Sequence, residues 1–183
     1  MHDLARLVAK DAITDLVLRY SVAVADRDVD LMVSLYSDTA EFGEAGTGPA
    51  ALRALMAETM GDLRFGVILV ANHLIQVESA DVARGQVWAR CYAQNDREGY
   101  YEQLIRYDDR YRRVADPSVT DTGWRFEHRR HQLWFGESRP SPLSQPPASW
   151  PHSNVGVGRI PLRDPAVVEW IGSLAPDHDG GHP

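Results

Sequence analysis

The sequence predicts an α+β fold in which a curved antiparallel sheet wraps around N-terminal helices, followed by a proline-rich C-terminal extension. Three observations support this prediction. Apolar residues recur at helical spacing before residue 62, alternate with polar residues from 65 to 135, and give way to a proline-rich composition after 137. Helices followed by a strand meander are typical of a sheet that curves around the helices and leaves a pocket between the two layers.

Three helices are predicted. In residues 3–28 one helical face carries Ile13, Leu16, Val17, Tyr20 and Val24. A short second helix is predicted from 30 to 36. The third covers 47–61, because Pro49 suits the first helical position and Gly61 suits a left-handed cap.

Four antiparallel strands are predicted after the helices. The period-2 pattern covers NHLIQVE at 72–78, ARGQVWARCYAQ at 83–94, and a long hairpin over 100–135. One face of the first hairpin strand carries Tyr101, Gln103, Ile105, Tyr107, Asp109 and Tyr111. Most arginines of this hairpin are expected to pair across strands with Asp108, Asp109 and Glu127 on a solvated face.

Composition narrows the possible functions. A net charge of −7 argues against nucleic acid, since nucleic-acid binding depends on Lys and Arg that neutralise phosphates. One cysteine, Cys91, allows no internal disulfide, and the start of the sequence has no signal-peptide pattern. The longest apolar run, residues 67–71, is far shorter than the ~20 residues of a membrane span. A soluble cytoplasmic protein without a membrane partner is expected.

The domain division follows from composition. We expect a cone-shaped domain over 1–137, a strap with a short helix over 138–176, and a disordered tail over 177–183. The strap carries apolar residues among its prolines, and Val167, Trp170, Ile171 and Leu174 form a short apolar helix face. Two interpretations remain open: a lid over the pocket, or plain packing.

Several segments in this order resemble one known family. They are AITDLVLRY, DVDLMVSLYSDTAEF, GTGPAAL, NHLIQVESADVARG, RYDDRYRR and GWRFEHRR. Over about three quarters of its length the chain resembles the SnoaL-like family of the nuclear-transport-factor-2-like superfamily. The resemblance implies a cone-shaped α+β barrel with a deep apolar pocket, a fold that hosts dehydratases, dehydrochlorinases, ketosteroid isomerases and polyketide cyclases. It also implies homodimers or trimers formed through the open face of the sheet.

The resemblance implies particular site residues. The family's tyrosine on the first helix and arginine in the last strand fall on Tyr20 and Arg129. The family's aspartate and histidine fall on Ala25 and near Ile68, so the usual pair of catalytic residues is missing at those positions. Near substitutes are Asp26, one residue on, and His73, which shares a strand face with Ile75 and Val77. A bulge in the strand or a one-residue offset in the helix would return them to the pocket.

His73 and Tyr20 each have two interpretations. A lone histidine on an apolar strand face is often a core residue, but histidine is also suited to proton transfer near neutral pH. A core role is the more common one for a tyrosine on an apolar helix stripe. The expected lining of the pocket is Ile68, Trp88, Tyr92, Tyr107 and Trp134.

No metal or other cofactor is predicted. Asp26, Asp28 and Asp30 lack the glycine and glutamate that a calcium loop requires, and Asp28 or Asp30 instead suits the cap of the second helix. His128 and His131 are three residues apart on a strand, so at most one faces the pocket.

The leading functional hypothesis is a cofactor-independent lyase or isomerase acting on a hydrophobic cyclic small molecule such as a steroid, polyketide or aromatic. His73 abstracts a proton, Asp26 holds its tautomer, and Tyr20 or Arg129 stabilises the developing charge. The alternative is a small-molecule-binding protein that has lost the catalytic pair. A homodimer is expected in either case, because Trp88, Leu104 and Trp134 occupy outward strand positions.

Overall fold

The computed structural model describes residues 3–95, 99–114 and 123–139. Helices α1 (Asp3–Asp26), α2 (Val29–Ser34) and α3 (Gly48–Gly61) come first, with one 3₁₀ turn at Gly43–Ala45. Strands β1 (Leu63–Val77), β2 (Val82–Asn95), β3 (Gly99–Arg113) and β4 (Trp124–Arg139) follow. They form one antiparallel sheet in the order β1-β2-β3-β4. The sheet is curved and unclosed, so the predicted α+β class is confirmed.

The core lies between α1 and the inner face of the sheet. The predicted helix face is confirmed, since Ile13, Leu16 and Val17 are buried and Tyr20 and Val24 pack against them. Helix α1 contacts β1 and β4. On the sheet, the inner residues of the two central strands include Ala83, Val87, Ala89, Ile105, Tyr107 and Tyr111.

The helix boundaries follow local chemistry, with one correction. Asp28 caps α2 by accepting a hydrogen bond from the Leu31 amide at 2.8 Å, and Pro49 lies in the first turn of α3, both as predicted. The prediction of a left-handed cap at Gly61 is wrong: α3 ends there, but the cap residue is Asp62 with φ of −86°. An ordinary right-handed conformation suffices at this helix end.

Part of the predicted cross-strand pairing is present on the outer face. Arg90 pairs with Glu102 at 2.7 Å, and Arg110 and Arg112 both pair with Glu127, whereas Arg106 pairs with Asp108 of its own strand. Arg129 with Asp109 is the exception, because this pair lies on the inner face.

No helix in the described part of the chain is long and apolar enough to cross a membrane. The strap, its helix and the tail predicted for the C-terminal extension lie outside the described residues, apart from 138 and 139. The turn predicted between β3 and β4 lies mostly outside them as well.

Candidate active site

Four polar side chains on the inner face of the sheet form one hydrogen-bonded chain. Arg129 donates to Asp109 twice, from Nε to Oδ1 at 2.9 Å and from Nη2 to Oδ2 at 2.8 Å. The Tyr111 hydroxyl donates to Asp109 Oδ2 at 2.8 Å, and His73 Nε2 lies 3.1 Å from the Tyr111 oxygen. We call these four residues the inner polar cluster.

Two β-bulges turn members of this cluster inward. In β1, Val70 pairs with Ala89 but His73 pairs with Val87, so β1 contains one extra residue and its alternation shifts. Without that shift His73 would face outward. In β4 a second bulge lies around Glu127, where β4 contains one extra residue relative to β3. Arg129 consequently faces inward, opposite Asp109.

The Asp109–Arg129 ion pair is removed from water. Only 3% of the Arg129 side chain and 0% of the Asp109 side chain are exposed. Three aromatic rings surround the guanidinium carbon at 4.1–4.2 Å from the ring centres: Tyr20, Tyr107 and Phe126. Burial alone lowers the pKa of Arg129, but the charge of Asp109 and the hydrogen bonds to it outweigh burial and raise that pKa. Arg129 therefore stays charged.

His73 is held neutral at ordinary pH. Burial lowers its pKa from 6.5 to about 4, and the opposing effects of Asp109, which raises the pKa, and Arg129, which lowers it, leave burial dominant. Above about pH 5 the imidazole thus has a lone pair on one ring nitrogen.

Two buried nitrogens of the cluster have no hydrogen-bond partner among the described residues. They are His73 Nδ1 and Arg129 Nη1. Buried polar atoms are nearly always hydrogen-bonded in native proteins, so each unpaired one needs an explanation. One of them belongs to a histidine ring and the other to a guanidinium cation, so the cluster has two polar atoms that a ligand could contact.

Tyr20 reaches the same cluster from α1. Its ring packs edge-on against Tyr107 and Phe126. Burial raises the pKa of Tyr20, so the hydroxyl stays protonated. Tyr36 stacks against Phe126 from the other side, and burial raises its pKa as well.

Comparison with known proteins now identifies the family. The family model described as the SnoaL-like domain matches residues 5–130, which is more than half of the chain. The chain belongs to the SnoaL-like family. The predicted resemblance is thereby confirmed. No curated protein matches this sequence.

Solved structures share the fold of this SnoaL-like chain. A type 2 hexachlorocyclohexane dehydrochlorinase, LinA, matches with a TM-score of 0.69 and 19% identity, covering 80% of this chain and 100% of its own. LinA type 3 from Novosphingobium barchaimii LL02 matches with a TM-score of 0.67 and 21% identity over the same shares. A provisionally assigned scytalone dehydratase from Novosphingobium aromaticivorans matches with a TM-score of 0.64 and 17% identity, covering 82% of this chain and 100% of its own. At these identities the likeness establishes the fold.

Within the SnoaL-like domain, the structure brings His73, Tyr20 and Arg129 close together on the inner face, but Asp26 does not join them. Asp26 is exposed at the C-terminal end of α1. The carboxylate that connects to His73 is instead Asp109, through Tyr111. The predicted use of Asp26 to orient His73 has no support in this geometry, because Asp26 is exposed to solvent at the end of α1.

The predicted aromatic lining divides between two faces of the sheet. Ile68 and Tyr107 are buried on the inner face, at 8% and 4% exposure. Trp88, Tyr92 and Trp134 lie on the outer face. Trp88 pairs with Arg106, and the residue pairs on either side of this one in β2 and β3 point inward, so Trp88 points outward. Trp88 and Trp134 pack at 4.9 Å between ring centres. These three residues therefore do not line the inner polar cluster.

A cavity of about 250 Å³ lies elsewhere on the sheet. It is lined by Arg90, Glu102, Gln103, Leu104, Phe135, Gly136 and Glu137. None of the predicted site residues lines this cavity. Its walls carry no histidine.

The histidines of β4 face opposite sides, as predicted from their spacing. His131 pairs with Tyr107 on the inner face, with ring centres 5.5 Å apart, whereas His128 pairs with Arg110. Burial and the charge of Arg129 lower the pKa of His131. Among the residues that the structure describes, no three His, Cys, Asp or Glu side chains converge on a possible metal position.

Asp109 and Tyr111 are the site residues that the sequence analysis missed. The period-2 pattern puts both on one face of the first hairpin strand, but Asp109 is also among the carboxylates expected on a solvated face, and the structure buries it. A usable signal was present: an aspartate on an otherwise apolar or aromatic strand face requires a buried partner, and Arg129 on the neighbouring strand is the matching charge.

Proposed function

We propose that this SnoaL-like protein is a cofactor-independent lyase or isomerase that removes a proton from a hydrophobic cyclic small molecule. The class includes steroids, polyketides and aromatic ring compounds. One observation carries the proposal: a half-buried, neutral histidine, His73, is connected through Tyr111 to a buried ion pair, and its Nδ1 atom has no hydrogen-bond partner among the described residues. This is the arrangement of a general base in a water-poor site.

His73 is the proton acceptor in this proposal. Its pKa of about 4 makes it a weak base, so it suits a C–H bond already acidified by a neighbouring carbonyl or ring system. The C–H bond breaks, and the proton goes to His73. In an elimination the electron pair forms a double bond as hydroxide or halide leaves the next carbon. In an isomerisation the pair rests on a carbonyl oxygen until the proton returns to another carbon.

Arg129 and Tyr20 stabilise the charge that develops. Arg129 Nη1 is a buried donor without a partner among the described residues, and its orientation is fixed by two hydrogen bonds to Asp109. A fixed donor stabilises an oxyanion or leaving group without reorganising during the reaction. Because Asp109 already offsets its charge, Arg129 contributes chiefly as an oriented hydrogen-bond donor.

The surroundings support a hydrophobic ring as the substrate. Tyr20, Tyr107 and Phe126 pack around the guanidinium, and Ile68 lies on the same inner face. Aromatic and aliphatic walls with a few oriented polar atoms are typical of sites for apolar ligands. The dehydrochlorinase and dehydratase named among similar structures are lyases by their names, which supports the elimination class.

A panel assay tests this proposal. Chelator-treated, dialysed protein is incubated with ring compounds that carry a leaving group β to an acidic C–H, and products are identified by liquid chromatography and mass spectrometry. We expect turnover without any added cofactor, loss of it in His73→Gln, and retention in His128→Gln, which changes an exposed histidine of the same sheet. Turnover that needs an added cofactor, or that survives in His73→Gln, overturns the proposal.

One observation favours a second candidate, a binding protein without chemistry. Ala25 and Ile68 occupy the positions where the family resemblance puts the catalytic pair, and Ile68 is packed in the core. Native mass spectrometry on the same panel separates the candidates. Stable complexes with no product from any bound compound favour the binding protein.

A further inference from the structure

The Tyr111 hydroxyl lies between a carboxylate and an imidazole but has only one proton to donate. Burial, followed by the charge of Asp109, raises the pKa of Tyr111, so this hydroxyl stays protonated. Asp109, ion-paired with Arg129, can only accept hydrogen bonds. The Tyr111 proton therefore belongs to the shorter contact, 2.8 Å to Asp109, a charge-assisted hydrogen bond.

This assignment determines the direction of the hydrogen bond between Tyr111 and His73. Because the Tyr111 hydroxyl donates its proton to Asp109, its oxygen can only accept a hydrogen bond from His73 Nε2, 3.1 Å away. A neutral imidazole carries one proton, so Nδ1 must hold the lone pair. Nδ1 is also the ring nitrogen that is buried without a hydrogen-bond partner among the described residues.

We propose that Tyr111 and Asp109 are positioning residues that hold His73 in its Nε2–H tautomer, so that Nδ1 is the atom that accepts the substrate proton. The catalytic half of this inference rests on the proposed function. The tautomer half does not, because it follows from contacts of the ligand-free protein. When Nδ1 takes up a proton, the new imidazolium remains hydrogen-bonded through Tyr111 to the Asp109 carboxylate.

The neighbouring strand is shaped to make room for the Tyr111 hydroxyl. A Cβ atom placed on Gly85 of β2 would lie 2.8 Å from the Tyr111 oxygen and 2.9 Å from its Cε2 atom. Real side chains do not approach that closely, so only glycine fits beside this ring. The position of Tyr111 is thus determined by β2 as well as by its own hydrogen bonds.

Solution NMR of the ligand-free protein at neutral pH tests the inference. Long-range proton–nitrogen correlations of the His73 ring report which nitrogen carries the proton. We expect the proton on Nε2 in the wild type. In Tyr111→Phe, which removes the acceptor but keeps the ring, we expect a mixture of tautomers. Tyr92→Phe on the outer face is the matched control and leaves the His73 signals unchanged.

Kinetics test the catalytic half. We expect Tyr111→Phe to lower kcat about 10-fold to 100-fold with little change in KM, by analogy with the loss found when the partner of a metal-bound histidine is removed. A proton on Nδ1 in the wild type overturns the inference. So does a Tyr111→Phe variant that keeps both tautomer and kcat. If the wild-type tautomer is as expected but His73→Gln retains turnover, the proposed function fails and the tautomer assignment stands.

Discussion

At the scale of residues, burial of the Asp109–Arg129 pair costs free energy of folding, yet the fold keeps this pair buried. Moving two charges out of water costs several kcal/mol per ion, and their mutual attraction repays this only when the remaining hydrogen bonds are made. The Asp109 carboxylate accepts three hydrogen bonds, two from Arg129 and one from Tyr111. Arg129 Nη1, in contrast, has no partner among residues 3–95, 99–114 and 123–139. A purely structural pair would be better satisfied, which favours a role at a ligand.

Breaking this pair on one side should strongly destabilise the protein. Asp109→Leu leaves the Arg129 charge buried without a counter-ion, and we expect a loss of about 3–5 kcal/mol in the free energy of unfolding. The double variant Asp109→Leu with Arg129→Met should recover most of the loss, as measured by urea denaturation. Arg110→Ala, which breaks a surface pair, should cost less than ~1 kcal/mol. A double variant no better than the single one would contradict this account.

His73 should make stability depend on pH. Its folded-state pKa of about 4 lies below the ordinary 6.5, so between these values the unfolded chain binds more protons and stability rises with pH. Tyr111, Asp109 and Arg129 are the polar groups that face it. Allowing for partial exposure, its contribution lost between pH 6.5 and pH 4 is about 1–2 kcal/mol.

A comparison of variants separates the effect of His73 on stability from the effect of carboxylates, which titrate in the same pH range. His73→Gln should lose less stability than the wild type on acidification, whereas His128→Gln should follow the wild type. Urea midpoints at several pH values measure both. A His73→Gln curve parallel to that of the wild type would show that His73 is not buried as a neutral group.

At the scale of elements, the bulges decide which side chains reach the site. The alternation of β1 after residue 72 is regular, so the sequence correctly put His73 on the face of Ile75 and Val77. The bulge that makes this face the inner one arises from pairing with β2, and the sequence permitted it without fixing it. For Asp26 the reason is related: the spacing along α1 does not determine which residues at its C-terminal end face the sheet, and Asp26 is exposed.

Gly85 provides a test at this scale. Gly85→Ala should push the Tyr111 ring away, break its contacts with Asp109 and His73, and cost about 1–3 kcal/mol through overpacking. Gly61→Ala is the matched control, since a Cβ there meets nothing within 4 Å, and it should change stability by less than about 1 kcal/mol. Thermal unfolding and the His73 ring signals measure both effects. An unchanged His73 spectrum in Gly85→Ala would contradict the role given to β2.

At the scale of the whole molecule, the sequence predicted the fold because its signals are local. The stripe on α1, the cap at Asp28 and the period-2 pattern of the strands each depend on a few neighbouring residues. The inner polar cluster depends instead on contacts between three strands, which local sequence patterns do not reveal. The positions of Trp88 and Trp134 were difficult to predict for the same reason. The sequence predicts them both in the pocket and on an outward face. The pairing of Trp88 with Arg106 of β3, and the contact of Trp134 with Trp88, put both on the outer face.

That outer face leads to a prediction about assembly. Trp88 and Trp134 pack together beside Arg106, and Trp134 and Phe135 remain 54% and 68% exposed in the single chain. We expect a homodimer that covers this face, because exposed aromatic clusters favour association. Light scattering should show a dimer for the wild type, a monomer for Trp134→Lys, and a dimer for Leu4→Lys, which changes an exposed residue of α1. A monomeric wild type at micromolar concentration would contradict the expectation.

The central claim is that His73 takes a proton from carbon without a cofactor, and hydrogen isotope exchange tests it most directly. Chelator-treated protein is incubated in D₂O with cyclic ketones and other ring compounds that bear an acidic C–H, and mass spectrometry follows deuterium uptake or elimination products. The account predicts uptake or elimination with the wild type and with His128→Gln, and a loss of about 100-fold or more with His73→Gln. Exchange at equal rates in His73→Gln, or compounds that bind the wild type without exchange or elimination, would contradict it.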